Sequence, residues 1–400
     1  MATGLFVAVF GTSACDLLEV TNAGLIEDED LNDPTFVGAL VAGMSADFSR
    51  AMNAAGPQRS SVMAFEITSG LSDQGEHVIG YLDPDIVDRQ GTWDAWHRAR
   101  WVASAGVTRI KEALGADYDQ SPDAARANLW AGFSNRLLGE SVCHAVIDGG
   151  PAQPREVHFE LAEAYFSEAA RIAETAGAEA QETYLAALGG RASVRAWQGN
   201  WDGAVADASL VPASFVFLAQ FATAGVRNGF YSEQFGSRYL TMMASPWENV
   251  TDDPRVPWSK TAILEDGVAA PTRGGDYRAW PQMKYTTEDS DIPITHGPEM
   301  LVLRAEAALR AGDIAGMTNL LKESRALWEM DPVAQPTSEA EAWELFKFER
   351  GATVWLEHRG FWDRARWYEE GRDTLLEGRA KCYPIGRREI DSNPNLSEFR

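Results

Sequence analysis

Two distant segments of the chain share one helix–turn–helix pattern. Residues 192–208 read ASVRAWQGNWDGAVADA, and residues 305–321 read AEAALRAGDIAGMTNLL. In each, an alanine-rich helix reaches a turn, at Gly199-Asn200 or Gly312-Asp313, and a second helix with small residues follows. Small residues let paired helices approach closely and glycine closes the turn, as in tetratricopeptide hairpins. Because such hairpins bury their apolar faces by stacking, the pattern predicts a mainly α-helical scaffold of stacked hairpins.

Apolar residues at helical spacing extend this scaffold over most of the chain. The spacing predicts helices at about 36–55, 92–114, 122–147, 156–176, 180–197, 201–210, 298–311, 314–330 and 338–358. The apolar run 210–226, although interrupted by Pro212 and Gln220, is interpreted as a buried helix. Four tryptophans inside helical patterns are expected in the core: Trp130, Trp197, Trp328 and Trp343.

Residues 227–297 differ in composition, because glycine, proline and aromatic residues crowd together there. This composition is typical of loops and short strands, and a compact domain rarely carries so long a segment without a function. We therefore predict one domain over residues 15–400. Its helical scaffold would span about 36–226 and 298–358, and a loop-rich, mixed second half would carry a ligand region at about 227–297.

The charge balance narrows the class of ligand. The chain has 35 basic and 59 acidic residues and a formal net charge of -24 at pH 7. Such a surface repels phosphate backbones and anionic lipid headgroups, so we expect no nucleic-acid binding, and neutral sugars or peptides fit better.

Motifs of catalysis are missing from the sequence. It has no glycine-rich phosphate loop, GxSxG elbow or HExxH motif, and its six histidines are scattered. We therefore predict no enzyme activity, no metal site and no cofactor. A hydrolase would need two carboxylates across a cleft, which sequence spacing does not reveal.

The chain opens with an uncharged run of apolar and small residues, MATGLFVAVFGTSA, followed by Cys15. This run is too short to span a bilayer, but it suits the core of a secretory signal, and its last residues are small, as signal peptidase II requires. We predict a lipoprotein signal over residues 1–14 and a lipid on Cys15; the alternative is a frayed terminus with a buried cysteine. No Lys or Arg precedes the run, so whether Met1 is the true start stays open, as does any pairing of Cys143 with Cys382.

Several segments resemble the SusD/RagB family, in the order of the family. Residues 15–22 (CDLLEVTN) are similar to its lipid-bearing cysteine and asparagine turn, and residues 199–201 (GNW) to its Gly-Asp-Trp turn. Later segments are similar to its Lys-Tyr, proline, Arg-Ala-Glu-Ala, Glu-Arg, Glu-Gly-x-Arg and C-terminal Pro-Ile and Asn-Pro-Asn blocks. They are Lys284-Tyr285, residues 291–294 (DIPI), residues 298–307 (PEMLVLRAEA), Glu349-Arg350, residues 357–363 (EHRGFWD), residues 383–385 (YPI) and residues 393–396 (NPNL).

The resemblance implies a tetratricopeptide-like helical scaffold decorated by a loop-rich half. It also implies a lipoprotein anchored in the outer membrane and facing the cell exterior, which closes like a lid over a TonB-dependent, SusC-like transporter. Ligands in the family are glycans in many cases and peptides or other nutrients in others. An alternative from the repeats alone is an envelope-anchored tetratricopeptide interaction scaffold without a small-molecule ligand.

Aromatic residues are the candidates for ligand contact. Sugar C–H faces stack on flat rings, and binding of a neutral polymer needs exposed Trp and Tyr side chains on loops. The resemblance assigns ligand contacts to two regions, the loop-rich region and the loop that precedes Trp93. The candidates are Asp73, His77, Tyr81, Trp247, Trp258, Tyr277 and Trp280. The alternative for each ring is packing within the fold.

Charged residues near the C-terminus form a second cluster in sequence. Their helical spacing predicts an ion-pair network that fixes the C-terminal helices to the scaffold, rather than an active site. The residues are Glu349, Arg350, Glu357, Arg359, Asp363, Arg364 and Arg366.

The lipid anchor has a direct test. Replacing Cys15 by Ser removes the thiol that would carry the diacylglycerol, so the variant should move from the membrane fraction to the soluble fraction on cell fractionation. A Ser13→Ala variant, which keeps Cys15 and a small residue before it, is the matched control and should stay with the membrane. Unchanged membrane association of Cys15→Ser would show that this cysteine is not the anchor.

Overall fold

The structure of the protein is a computed structural model that describes residue 28 and residues 30–53, 55–70 and 75–400. The predicted signal segment and Cys15 lie outside these residues. The α-helices are α1 Val37–Asn53, α2 Ala55–Met63, α3 Gly75–Ile79, α4 Pro84–Arg89, α5 Thr92–Leu114, α6 Pro122–Ser141, α7 Glu156–Ala176, α8 Gln181–Trp197, α9 Trp201–Ala208, α10 Gly229–Tyr231, α11 Gly297–Arg310, α12 Ile314–Ala326, α13 Glu339–Thr353, α14 Gly360–Glu369 and α15 Arg387–Ser392. The strands are β1 Thr68–Ser69, β2 His144–Val146, β3 Ala152–Pro154, β4 Val216–Ala219, β5 Leu240–Thr241, β6 Leu264–Glu265, β7 Val268–Ala269 and β8 Ile292–His296.

The two predicted helical hairpins are confirmed as α8–α9 and α11–α12. Asn200 caps α9 by accepting a hydrogen bond from the backbone N–H of Gly203 at 3.0 Å, and Asp313 caps α12 from Gly316 at 2.7 Å. The turn glycines have φ of 81° at Gly199 and 78° at Gly312. Residues that carry a side chain rarely adopt this left-handed backbone region. Alanines line the contact between the helices, as predicted: Ala192, Ala196, Ala204 and Ala208 share one core cluster with Met300 and Leu303 of α11.

Small residues also set the packing of the longer helices. Phe166 of α7 lies against Gly132 of α6 and Gly190 of α8, where an added Cβ would come within 2.6 Å and 2.5 Å of its ring. Phe159 packs in the same way on Gly139, with 2.6 Å to an added Cβ. Because these glycines leave room for the rings, α6 is buried along almost its whole length between its neighbours.

Most predicted helices occur with ends shifted by a few residues, but the predictions for residues 122–147 and 210–226 need correction. The helix predicted at 122–147 ends at Ser141, and His144–Val146 form a strand instead. The run 210–226 is not a helix, since Val216–Ala219 form β4, paired antiparallel with β8. Burial alternates along β4, with Phe217 and Ala219 inside and Val216 outside, so its period is that of a strand.

The sequence patterns also missed several helices. Helices α2, α3 and α4, between residues 55 and 89, carry no clear apolar period and were not predicted. The helix predicted at 338–358 ends at Thr353, and left-handed backbone at Leu356 (φ 57°) and His358 (φ 63°) redirects the chain into α14. Leu356 and His358 are not glycines, so their positive φ is a local backbone feature that the spacing of apolar residues does not reveal.

The loop-rich half is confirmed in residues 227–297, where the structure has only short strands and single helical turns before β8. Two-residue strands organise it: β5 pairs with β1, and β6 pairs with β7. The β1–β5 pair joins the segment before α3 to the loop-rich half. The helical scaffold with a loop-rich second half is therefore the observed architecture.

A disulfide connects Cys143 and Cys382, with their Cα atoms 5.0 Å apart, which answers the question of their pairing. The backbone supports this link, because Cys143 N–H donates to the carbonyl of Tyr383 at 2.9 Å and Tyr383 N–H to Ser141 at 2.8 Å. The cysteines are 239 positions apart in sequence. Closing so long a loop removes conformational entropy from the unfolded chain, on the order of 5 kcal/mol at 25 °C in the loop-entropy model.

The predicted ion-pair network is present and buried, although most of its partners lie across helices, and the Arg366–Asp363 pair lies along one helix. Arg350 donates to Asp363 at 2.8 Å, and Arg366 donates both to Asp363 at 2.8 Å and to Glu306 of α11 at 2.7 Å. Arg359 donates to Glu140 of α6 at 2.6 Å. The network therefore ties α13 and α14 to the helical scaffold.

Helices α8 and α9 approach closely at Ala204, so we predict that this position requires a small side chain. Ala204 is fully buried in that contact, so Ala204→Leu should overpack it and lower the free energy of unfolding by about 1–3 kcal/mol, measured by urea denaturation. Ala206→Leu, on the exposed face of the same helix, is the matched control and should change stability little. Equal effects of the two substitutions would contradict the packing described here.

The charge of Glu306 should make stability fall in acid. Burial opposes its charged form, but the guanidinium groups of Arg366 and Arg310 outweigh this and lower the pKa of Glu306 to about 2. Its stabilisation is therefore complete above the ordinary carboxyl pKa and is lost as pH falls towards 2. Between pH 6 and pH 3 the wild type should lose about 2 kcal/mol more unfolding free energy than Glu306→Gln. The exposed Glu323→Gln is the control and should keep the wild-type pH dependence.

Candidate ligand-binding site

Trp258 and Trp280 form a stacked pair in the loop-rich half. Their ring centroids are 5.7 Å apart and the ring planes meet at 21°. Both side chains are half-buried, so part of each ring faces solvent. An aromatic ring with an accessible part is what the C–H face of a sugar or an apolar peptide side chain stacks on.

Two paired loop segments hold these rings in place. Residues 257–259 run antiparallel to 281–283, with Ser259 N–H donating to Pro281 at 3.0 Å and Met283 N–H to Pro257 at 2.7 Å. The indole N–H of Trp258 donates to the carbonyl of Val250 at 2.7 Å. The backbone around Trp280 bonds to the β5 region, because Met242 N–H donates to its carbonyl at 2.8 Å. The rings are thus fixed by backbone contacts before any ligand arrives.

A lysine covers part of the stacked pair. The ammonium of Lys260 lies 4.6 Å from the ring centroid of Trp280 and 5.5 Å from that of Trp258. At an exposed site such a cation–π contact contributes about 0.5–1 kcal/mol, so a ligand displaces it at small cost. The same ammonium offers hydrogen-bond donors to the hydroxyl or carbonyl oxygens of a ligand.

The two sequence regions predicted to carry ligand contacts are joined at the backbone. Besides the β1–β5 pair, Gly70 N–H donates to the carbonyl of Tyr239 at 2.7 Å, and Gly274 N–H donates to Gly70 at 2.9 Å. Tyr277 is half-buried in the turn that follows, where its carbonyl accepts from Thr272 N–H at 2.9 Å. The segment before α3 and the turn with Tyr277 therefore belong to one local unit.

The remaining candidates have different surroundings. Asp73 lies outside the described residues. His77 is 1% exposed, with its Nε2 2.8 Å from Nε2 of Gln90, whereas Tyr81 is 52% exposed and its hydroxyl donates to Asp83 at 3.2 Å. Trp247 is 6% exposed and stacks on Phe348 of α13 with centroids 5.5 Å apart. In this conformation, Tyr81 is accessible to a ligand, and the rings of His77 and Trp247 are used for packing.

Among known proteins, this chain is similar to solved structures of one family. No protein-family model and no curated protein matches the chain, but solved structures do. A SusD/RagB family protein from Bacteroides thetaiotaomicron is 12% identical, and the match covers 92% of this chain and 96% of that protein with a TM-score of 0.66. A SusD superfamily protein from Bacteroides vulgatus is 14% identical, covering 91% and 98% with a TM-score of 0.64. A SusD-like carbohydrate-binding protein from Bacteroides fragilis is 11% identical, covering 86% and 88% with a TM-score of 0.61.

This chain has the SusD/RagB fold. The match extends over nearly the whole of both chains, so the helical hairpins and the loop-rich half are shared together. The sequence resemblance to this family is therefore confirmed at the level of the fold.

One tryptophan of the SusD-like fold was assigned wrongly from its sequence pattern. Trp328 was expected in the core, but it is 38% exposed because α12 ends at Ala326 and the chain turns at Glu329 with φ of 55°. Trp130 and Trp343 are buried as predicted, and Trp197 is half-buried. The signal that could have revealed the exposure of Trp328 is Asp331-Pro332, which places a helix end close by.

In the part of the chain that the structure describes, no group of three or more His, Cys, Asp or Glu side chains is arranged to hold a metal ion. No helix in those residues has the length and apolar character needed to cross a membrane.

Proposed function

We propose that this protein is a non-enzymatic cell-surface lipoprotein that captures a nutrient, a glycan or a peptide, and passes it to a TonB-dependent outer-membrane transporter. The observation that carries the proposal is the shared fold over 92% of the chain with a SusD/RagB family protein. Two further proteins of this fold, from Bacteroides vulgatus and Bacteroides fragilis, are described as SusD-like carbohydrate-binding proteins. A lipid on Cys15 would anchor the protein in the outer membrane, facing the cell exterior.

The disulfide supports a location outside the cytoplasm. Disulfides form and persist in oxidising compartments, whereas cytosolic thiols are kept reduced. The Cys143–Cys382 bond joins two distant parts of the fold, and the paired backbone around it brings the cysteines together. This arrangement agrees with export of the chain, which the predicted signal segment also requires.

We assign the centre of the ligand site to the stacked pair of Trp258 and Trp280. The two rings, the Lys260 ammonium and the adjoining turn with Tyr277 offer stacking surface and hydrogen-bond donors. Such a surface suits a neutral glycan or peptide better than a polyanion, in agreement with the net charge of -24. Tyr81 and Asp73 belong to the second predicted region, which His77 would support from within. Trp247 would support the loop-rich region through its contact with Phe348.

Affinity and stability measurements on single variants test the site. After a ligand is found by screening neutral oligosaccharides and uncharged peptides, Trp258→Ala and Trp280→Ala should each weaken binding several-fold, since a stacked ring contributes about 0.5–1.5 kcal/mol beyond its buried area. Isothermal titration calorimetry measures this loss. Trp247→Ala should instead lower the free energy of unfolding by about 3–5 kcal/mol, because its ring is buried.

Trp101→Ala is the matched control for an exposed ring elsewhere, since Trp101 on α5 is 58% exposed. It should leave both affinity and stability near the wild-type values. Wild-type affinity in both Trp258→Ala and Trp280→Ala would contradict the assigned site, and an equal loss in Trp101→Ala would indicate non-specific binding.

The transporter partner is tested separately. Extraction of outer membranes with mild detergent, purification through a tag on this chain and mass spectrometry should recover a TonB-dependent, SusC-like barrel. As a control, an outer-membrane lipoprotein that is not known to bind a TonB-dependent transporter is tagged and purified in the same way. Recovery of this chain without any such barrel would contradict the proposed role in transport.

A further inference from the structure

A second cleft opens between the helical scaffold and the loops. Its volume is about 410 Å³, enough for one amino-acid side chain with its flanking amides. The segment before β4, strand β8, the end of α12 and the chain after α13 form its walls. None of Trp258, Lys260 and Trp280 lines this cleft.

The walls of the cleft are apolar and accessible. Val216, Leu327 and Trp328 converge on it, and they belong to the larger apolar side chains of the protein that are more than a third exposed. Phe215, Pro293 and Pro298 complete the apolar lining. Single exposed apolar residues need no explanation, but an aromatic and two aliphatic side chains gathered at one concave surface indicate a binding site.

The floor of the cleft carries charges that are already paired. The Lys284 ammonium donates to Glu357 Oε1 at 2.6 Å and to the carbonyl of Trp355 at 2.8 Å. The other carboxylate oxygen, Glu357 Oε2, lies 2.9 Å from His296 Nε2. His296 Nδ1 accepts a hydrogen bond from Glu299 N–H at 3.1 Å, so Nε2 carries the proton and donates to Glu357. The Lys284–Glu357 pair thus adds no net charge to the floor.

Arg255 also lines the cleft, but each of its three side-chain nitrogens already donates within the protein. Its Nε and Nη2 bond to Asp253 at 2.9 Å and 2.6 Å, and its Nη1 bonds to Glu349 at 2.7 Å. An ammonium has three donors, and Lys284 uses two of them in these contacts. One donor of the Lys284 ammonium therefore remains for a ligand.

We propose that this cleft binds an uncharged apolar group that carries a carbonyl acceptor, as in an aromatic or branched residue of a peptide. The apolar body would lie against Trp328, Leu327 and Val216, and the carbonyl oxygen would accept from the Lys284 ammonium. A charged ligand would meet no unpaired countercharge in the cleft, and a sugar would bury several hydroxyls against apolar walls without partners. The inference does not rest on the proposed function, because it uses other residues.

Fluorine NMR on the full chain labelled with 5-fluorotryptophan tests this inference. The Trp328 signal, one of those from 14 tryptophans, is assigned by its loss in Trp328→Phe. Addition of N-acetyl-L-phenylalaninamide up to ~10 mM should shift the Trp328 signal saturably, with a Kd on the order of 1 mM. The signals of Trp258 and Trp280, assigned in the same way, should stay in place.

Three related probes define the ligand class. N-acetylglycinamide lacks the apolar group, phenylacetate is charged, and methyl β-D-glucopyranoside replaces the apolar body with hydroxyls. The Kd of each, measured from the shift of the Trp328 signal, should be at least about tenfold higher than that of N-acetyl-L-phenylalaninamide. Equal or stronger binding of any of the three would overturn the assigned ligand class, and no saturable shift with N-acetyl-L-phenylalaninamide would overturn the site.

Wall variants provide the structural control. Val216→Ser and Leu327→Ser change accessible side chains, so folding should be retained, and both should weaken binding of N-acetyl-L-phenylalaninamide several-fold. Trp101→Ala removes an exposed ring elsewhere and should leave its affinity unchanged. Wild-type affinity in both wall variants would overturn the proposal, and so would an equal loss in Trp101→Ala. Failure here leaves glycan or peptide binding at Trp258 and Trp280 unaffected.

Discussion

Buried arginines connect the C-terminal helices to the helical scaffold, and the arrangement of the other parts depends on their pairing. The side chains of Arg350, Arg359 and Arg366 are between 1% and 6% exposed. An ionised group in the protein interior is unfavourable by several kcal/mol unless carboxylates and hydrogen bonds compensate for the lost water. Because those carboxylates are on α6, α11 and α14, the compensation occurs only when these helices meet in one register. The network thus selects one packing among the many that apolar alanine-rich helices would allow.

The same kind of contact holds the loop-rich half, whose two-residue strands would not be stable alone. Glu349 on α13 accepts from Arg255 of the loops at 2.7 Å and from Arg325 of α12 at 2.7 Å. Lys284 reaches Glu357, and the neighbouring Tyr285 hydroxyl donates to the carbonyl of Leu356 at 3.2 Å. The Lys-Tyr and Glu-Arg blocks that carry the family resemblance are therefore the anchors of the loops. These contacts are structural, which explains why the two blocks do not by themselves reveal a ligand.

The helical hairpins were predictable because their signal is local. Alanines at helical spacing, a glycine with positive φ and a capping Asn or Asp all lie within one short segment, as at Gly199-Asn200. The stacked site was predictable only as a group of candidates, since burial of Trp247 depends on Phe348, which is distant in sequence. Strand β4 was missed because its partner β8 lies at the far end of the loop-rich half. The Cys143–Cys382 pairing likewise needs the fold to bring its two ends together.

The two candidate surfaces differ in how a cation meets an aromatic ring. At the tryptophan pair, Lys260 rests on the rings themselves, so a ligand must move it and can then use its donors. At the second cleft, the ion pair with Glu357 holds the Lys284 ammonium in one position, and the Trp328 side chain is exposed. A movable ammonium can donate to polar groups in many positions, as a polymer with many hydroxyls requires. A fixed ammonium can donate to an oxygen at one position only. The first surface therefore suits broad capture and the second suits recognition of one defined group.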